Sequence, residues 1–395
     1  MRMYSTQLAI FILVLCASDG AIAAARVPAS DAEVLEKLAF KPSDPVARAL
    51  GQLRKTLQQN PNNREVAVEL ANRYYEMVGE EGDPRYLGYA EAALAPWWQL
   101  AQPPTDVQLI RARLRQFTHD FPGALRDLES ILQREPSYTS ARALRAIIYI
   151  VQARYPLART DCELLLPISS HLVGLGCMAM IDGLTGKASA ALSRLTAAYE
   201  LHPPASNDEK MWVLLRLTEL AQRRGQNDVA ERRFKQALAL GMNDTFLLAA
   251  YADLLLDLRR PAEVVLLLKD KIRSDSLLLR LVMAQRSLNL PTAAELEAAL
   301  GARYAAAQLR GDTVHQQEEA RFMLHVKGNP QRALWLSQQN WLVQREPRDA
   351  RIFLEAAIAT KDFTAAQPVM QWLAESQIED FLLVSLGQQI RNAAQ

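Results

Sequence analysis

A pattern of small and apolar residues that recurs about every 34 residues constrains this chain more than any other feature. It is clearest at Ala124, Leu128 and Ile131, which occupy one face of a helix because residues at i, i+4 and i+7 stack. Pro136 ends that helix, since proline bars the preceding residue from helical geometry. Equivalent residues occur in the flanking segments: Ala90, Leu94 and Trp97; Ala158, Cys162, Leu165 and Ser170; Ala191, Leu195, Ala198 and Pro203.

A second helix precedes each of these, marked by a small residue twelve positions earlier. Ala112 stands in this relation to Ala124, and small residues at both places let two antiparallel helices approach closely. No stretch shows sustained period-two alternation, so we expect no strands. The same step recurs in four further pairs: Ala146 and Ala158, Ala179 and Ala191, Thr218 and Ala230, Ala250 and Ala262.

These residues resemble the tetratricopeptide repeat, a family with a 34-residue period, two helices per unit, paired small residues and a terminal proline. The best unit is Met211 to Met242, with Gly225 at the turn between its helices and Ala230 and Phe234 on the second helix. The resemblance implies an all-α, right-handed superhelical solenoid of antiparallel helix pairs. Stacked units of this kind bury one continuous core.

The predicted organisation has four parts. Residues 1–25 form a signal peptide and residues 26–43 a linker. Residues 44–376 form about nine helix pairs, some degenerate. Residues 377–395 form a capping helix, because apolar residues from Phe381 to Ile390 recur there at helical spacing.

The N-terminal segment has the pattern of a secretory signal. Arg2 precedes a ten-residue apolar run, Leu8 to Ala17, and small residues follow that allow cleavage after Ala23 or Ala25. The run is too short to span a membrane. Lipid attachment at Cys16 is disfavoured, because Leu15 stands where such signals carry a small residue. We therefore expect an exported protein without a membrane span in its mature chain, placed in the periplasm in preference to secretion.

Charge and motifs argue against several functions. Lys plus Arg number 45 and Asp plus Glu 44, so no basic surplus exists for a nucleic-acid partner. The Gly183–Lys187 segment lacks the first glycine and the final Ser or Thr of a phosphate loop. The five histidines include no zinc-binding pair at i, i+4, and we found no catalytic constellation. The sequence predicts no enzyme, no cofactor and no metal site.

The resemblance implies that the first helix of each pair lines a concave groove that binds a protein partner. The alternative is that these side chains pack among themselves. The expected groove residues are Asn72, Tyr75, Arg113, Phe117, Ile147, Val151, Met180 and Tyr251.

Two functions remain open on this basis. The first is an exported scaffold or adaptor that binds a protein through its superhelical surface. The second is an accessory factor for export or processing of envelope polysaccharide, in which Trp98, Tyr75 and Tyr86 contact sugars.

Cys162 and Cys177 are the two cysteines that follow the predicted signal. They stand about equally far from a turn near Ser169 and Ser170, which places them at one height on antiparallel helices. Gly174 and Gly176 would allow the two helices to approach closely. In an oxidising compartment we expect a disulfide; the alternative is a pair of buried free thiols.

Overall fold

The computed structural model describes Ser30, Asp44 to Asp312 and Val314 to Ala393. The predicted signal peptide, and the predicted linker apart from Ser30, lie outside the described residues. The chain divides into two units, Met1–Ala39 and Phe40–Gln395, and the described helices belong to the second.

Within the described residues the chain forms 21 α-helices and no strand. Three of them stand outside the pairs: α1 (Pro45–Gln59) at the start, the four-residue α4 (Ala95–Trp98), and α21 (Phe381–Ala393) at the end. The other eighteen make nine pairs: α2 (Arg64–Glu81) and α3 (Arg85–Ala93); α5 (Thr105–Phe117) and α6 (Phe121–Arg134); α7 (Thr139–Val151) and α8 (Tyr155–Leu165); α9 (His171–Leu184) and α10 (Ala188–Leu201); α11 (Asn207–Arg223) and α12 (Asn227–Leu238); α13 (Thr245–Asp257) and α14 (Pro261–Leu268); α15 (Asp275–Ser287) and α16 (Ala293–Leu309); α17 (Gln316–His325) and α18 (Pro330–Trp341); α19 (Pro347–Thr360) and α20 (Gln367–Ser376).

Polar side chains set where many helices begin. Asp44 accepts a hydrogen bond from the Val46 N–H at 2.8 Å, and Asp244 accepts one from Leu247 N–H at 2.7 Å. These bonds satisfy amide groups that have no partner in the first turn of a helix. At the other end, Gly82 follows α2 in the left-handed conformation with φ of 67°, which glycine adopts without steric cost.

The small residues spaced twelve apart lie where the helices of a pair touch. Ala112 and Ala124 have no exposed surface, and Ala146 and Ala158 are equally buried. The predicted Ala250–Ala262 match is wrong, because Ala262 is exposed on α14. There Ala252 and Val264 are the fully buried pair, so the register is shifted by two residues while the spacing is kept.

Two neighbouring pairs contain the same buried ion-pair cluster. Arg111 on α5 pairs with Asp127 on α6 at 2.6 Å, and Arg145 on α7 pairs with Asp161 on α8 at 2.8 Å. The two arginines stand 34 residues apart, as do the two aspartates. The repeat therefore extends to polar core residues. In both of these pairs the ion pair connects the second helix to the first.

The chain also contacts itself between pairs that are far apart in sequence. The Arg345 N–H donates to the Val151 carbonyl at 2.7 Å, and Trp372 Nε1 donates to Tyr155 Oη at 3.0 Å. Side chains of α18 to α21 join those of α7 to α9 in one hydrophobic cluster that includes Trp341, Trp372 and Phe353. The C-terminal helices thus cover part of the inner surface of the third and fourth pairs.

Candidate functional site

Three of the expected groove residues form a cluster on α2 and α5. Arg113 Nη1 donates to Asn72 Oδ1 at 3.3 Å, and its guanidinium carbon lies 5.9 Å from the centre of the Tyr75 ring. All three side chains are partly exposed. Burial raises the pKa of Tyr75 although Arg113 opposes it, so the phenol stays protonated and can donate. The cluster offers a planar cation, an amide and an aromatic hydroxyl on one surface.

Phe117 and Ile147 lie farther along the inner helices. Phe117 is the last residue of α5 and is partly exposed. Ile147 on α7 is partly buried and packs on the core that joins α5, α6 and α7. Ile147 therefore belongs to the hydrophobic core, whereas Phe117 remains partly exposed on α5, the helix that also carries Arg113.

The chain itself covers Val151 fully and Met180 in part. Val151 is buried, and its carbonyl is bonded to the Arg345 backbone. Met180 packs against the hydrophobic cluster that joins α7 to α9 with α18 to α21, and its sulfur lies 3.3 Å from Arg216 Nη1. The structure does not bring either residue together with Arg113.

Tyr251 is buried between α12 and α13. Its hydroxyl donates to Glu231 Oε1 at 3.3 Å, and its ring centre lies 5.1 Å from that of Phe234. This residue packs the sixth pair on the fifth.

The tryptophans and tyrosines considered for sugar contact differ in exposure. Trp97 and Trp98 on α4 are partly exposed, and the Trp98 carbonyl accepts a hydrogen bond from Arg111. Tyr86 is only 1% exposed and stacks on Tyr74. The expectation that Tyr86 meets a sugar is wrong, because its ring fills the core of the first pair.

The two cysteines are joined by a disulfide in the structure, with their Cα atoms 5.4 Å apart. Gly174 permits this approach of α8 and α9, since a Cβ there would lie 3.1 Å from the Leu166 Cα. Gly176 serves a different neighbour. A Cβ at Gly176 would lie 1.9 Å from the Trp212 ring of α11, so that glycine makes room for α11 and not for α8.

A cavity of about 600 Å³ lies among the inner helices of the later pairs, and it was not expected from the sequence. Residues of α11, α13, α17 and α19 line it, together with the first residues of α21. Phe246, Leu254, Ile352 and Phe381 contribute apolar surface. The remaining lining is mostly charged.

Ion pairs organise the charged wall of this cavity. Asp253 is held by Arg280 at 2.7 Å and Arg321 at 2.9 Å. Arg351 joins Asp257 at 2.7 Å and Glu355 at 2.8 Å. Burial acts to raise the pKa of Glu355, but the hydrogen bond with His325 and the charge of Arg351 outweigh it and lower the pKa to about 2. These pairs tie α13 to α15, α17 and α19.

The described ranges contain neither a metal site nor a membrane-spanning helix. No three histidine, cysteine, aspartate or glutamate side chains there are grouped so as to hold a metal ion. No described helix combines the length and apolar character needed to cross a bilayer.

The nine stacked helix pairs and their inner layer of first helices define a helical-repeat solenoid of the tetratricopeptide-repeat fold. Among solved structures, the chain is similar to the Cut9–Hcn1 hetero-tetramer of APC/C, with a TM-score of 0.50 and 13% identity over 89% of this chain and 67% of that one.

Two further solved structures are similar to the chain. A tetratricopeptide repeat protein from Parabacteroides merdae is 14% identical, with 80% of this chain and 92% of that one covered and a TM-score of 0.29. Yeast Tom70 is 12% identical, with coverages of 88% and 59% and a TM-score of 0.35. No protein-family model and no curated protein matches the sequence.

Proposed function

We propose that this chain is an exported tetratricopeptide-repeat scaffold that binds a protein partner through the inner surface of its first two helix pairs. The observation that carries the proposal is the cluster of Asn72, Tyr75 and Arg113, which is ordered by its own contacts and still partly exposed. Tyrosine and arginine are enriched among residues that dominate the energy of protein interfaces. The Cut9–Hcn1 structure, which has this fold, is itself an assembly of several chains.

The cluster of Asn72, Tyr75 and Arg113 is proposed as the binding surface because the chain covers another part of its inner surface. The inner surface at Val151 is taken up by the segment between α18 and α19, where the Arg345 N–H donates to the Val151 carbonyl. A partner that enters the groove therefore meets Arg113 and Phe117 before it reaches covered surface. Arg113 supplies hydrogen-bond donors for carboxylate or carbonyl groups, and Phe117 supplies an apolar contact.

Replacing Arg113 with alanine and Phe117 with glutamate in one variant tests the surface. We expect capture of the partner to fall about tenfold or more, because truncation of a central interface residue costs about 2 kcal/mol or more. Quantitative mass spectrometry of proteins captured from an envelope extract, followed by titration of the main one, measures the effect.

The matched control is Arg126→Ala combined with Leu201→Glu, which replaces an exposed arginine on the second helix α6 and an exposed leucine on the second helix α10. Helicity by circular dichroism should be unchanged in both variants. If the inner-surface variant captures its partner as well as the control does, the binding surface lies elsewhere on the molecule.

Export is the other part of the proposal. It is supported by the apolar run and small residues of the N-terminal segment. The Cys162–Cys177 disulfide also supports it, since such bonds persist in oxidising compartments and are rare in the cytosol.

Mass spectrometry of the protein isolated without reductant from the periplasmic fraction of a two-membrane bacterial host tests export. We expect a mature chain that begins at Ala24 or Arg26 and has no alkylatable cysteine. The version expressed without residues 1–25 should stay cytosolic and have both cysteines alkylated. An intact Met1, or two free thiols in the periplasmic sample, would contradict the proposal.

A further inference from the structure

The end of α2 contacts two helix pairs that follow much later in the chain. Thr245 Oγ1, at the start of α13, donates to the Gly79 carbonyl at 2.7 Å. Arg273, just before α15, forms an ion pair with Glu81 at 2.8 Å. These two contacts join the first pair to the sixth and seventh pairs and so close the solenoid on itself. We refer to them together as the latch.

The latch depends on the extra length of α2. This helix has 18 residues, whereas α5 and α7 have 13 each, and the difference adds about 7.5 Å to its length. Gly79 and Glu81 belong to the added part. Gly82 follows directly and lies so close to Ser274 that a Cβ at Gly82 would be 2.4 Å from Ser274 Oγ. The extension of α2 therefore brings the first pair against the seventh.

The bonds of the latch are polar and exposed to solvent. The Arg273 side chain is 51% exposed, and exposed ion pairs stabilise little and are weakened by salt. The contact of the C-terminal helices with α7 to α9 is instead a hydrophobic cluster that buries Trp341 and Trp372. Burial of such large aromatic side chains stabilises far more than an exposed ion pair does. The latch is thus the weaker of these two contacts between distant pairs.

The latch lies beside the surface that the proposed partner contacts. Tyr75 and Gly79 are four residues apart, so they lie on one face of α2, about one turn from each other. Protein surrounds much of the Tyr75 side chain, and this burial raises its pKa although Arg113 opposes the shift. The start of α13, bonded at Gly79, therefore limits the space around Tyr75 from that end of the helix.

We propose that the latch controls access to the surface formed by Asn72, Tyr75 and Arg113. While the latch is closed, the first and sixth pairs leave little room for a folded partner at this surface. When the latch opens, the surface becomes accessible. The proposal rests on the scaffold function for the role of that surface. Opening is measurable without any partner, so failure of one proposal is distinguishable from failure of the other.

Arg273 is the residue to change, because two carboxylates face it. Glu81 is its ion-pair partner. Burial acts to raise the pKa of Asp83, but hydrogen bonds from Arg85 and the charges of Arg85 and Arg273 outweigh it and lower the pKa. Arg273→Glu replaces attraction with repulsion among three carboxylates. We expect this variant to increase the fraction of open molecules about fivefold, as the loss and reversal of an exposed ion pair should do.

Distances between two spin labels measure the opening. Glu80→Cys and Asp270→Cys place the labels on exposed residues on either side of the latch. The native disulfide leaves only these thiols free when Cys16 is replaced by serine. We expect one short distance in low salt, and a longer component about fivefold larger in Arg273→Glu. Sodium chloride at about 1 M should enlarge the same component in the parent chain, because it screens charges more than about 3 Å apart.

Reaction of Tyr75→Cys with two maleimides measures access to the surface. One reagent is N-ethylmaleimide, and the other carries a bulky polyethylene glycol chain. In the Cys16→Ser chain, Arg273→Glu should speed the bulky reagent about fivefold and leave the small one unchanged, because only the bulky reagent needs the latch to open.

Two further variants serve as control and rescue. Arg286→Glu reverses an arginine of similar exposure on α15, but its partner Glu297 lies on α16 of the same pair, so neither measurement should change. Glu81→Lys added to Arg273→Glu restores an opposite-charge pair and should bring back the short distance. Circular dichroism verifies that every variant is folded.

The proposal is overturned if Arg273→Glu gives the same distances as Arg286→Glu. It is also overturned if the distances lengthen while the bulky maleimide reacts no faster. Failure of the scaffold function has a different signature: partner capture is insensitive to Arg113 and Phe117, while the labels and the maleimides still respond to Arg273.

Discussion

Replacing Asp127 with alanine is expected to lower the free energy of unfolding of the second helix pair by about 3–5 kcal/mol. The Asp127 carboxylate is buried and accepts hydrogen bonds from Arg111, Gln108 and Arg115. Its removal leaves Arg111 buried without a counter-ion, although two backbone carbonyls still accept from it. An uncompensated buried charge is far more costly than the loss of a surface pair.

Urea denaturation followed by circular dichroism measures this loss, and hydrogen exchange of α5 and α6 locates it. Local readout matters because neighbouring units of a solenoid can unfold separately. The control is Glu76→Ala, which breaks the exposed Arg73–Glu76 pair and should change stability by no more than about 0.5 kcal/mol. The buried pair would have no special importance if Asp127→Ala resembled that control.

Replacing Trp372 with alanine is expected to cost about 3–5 kcal/mol, the usual range for truncating a large buried aromatic residue. Trp372 is 5% exposed, and its ring centre lies 5.5 Å from that of Trp341. It also bonds Tyr155, which precedes it by 217 residues. We therefore expect the C-terminal helices to lose hydrogen-exchange protection together with the surface of α8 that they cover.

Two controls separate the contributions of Trp372. Tyr155→Phe removes only the hydrogen bond and should cost about 1 kcal/mol. Trp335→Ala removes a tryptophan that is 45% exposed and should have a small effect. If Trp372→Ala loosens α20 and α21 but leaves α8 fully protected, the contact with Tyr155 does not hold these segments together.

The helix pairs were predictable because their packing depends on residues that are close together in the sequence. Ala112 and Ala124 are twelve residues apart and meet across a single turn, so composition at those two places decides how closely the helices approach. The buried Arg111–Asp127 cluster carried a similar signal, since Arg145 and Asp161 repeat it 34 residues later. That polar repeat was missed because charged residues on a helix usually face solvent.

The binding surfaces were less predictable than the helices. The groove residues were predicted by assuming that equivalent positions of the first helices face the same way in every pair. That assumption holds only where successive pairs keep the same register. Asn72, Tyr75 and Arg113 lie together as neighbours on adjacent first helices. Tyr251 packs against Glu231 and Phe234 instead, because the sixth pair is shifted in register relative to the others.

The sequence by itself determined the helices, their pairing and the all-α repeat fold, since each depends on residues within about one repeat of each other. Only the tertiary structure decided which inner surfaces are covered. Val151 meets Arg345, and Arg223 lines a cavity with Gln317 and Phe381, although these residues are far apart in the chain. Such contacts depend on small rotations between successive pairs that add up over many repeats. Local periodicity does not specify that sum, so it does not specify the cavity either.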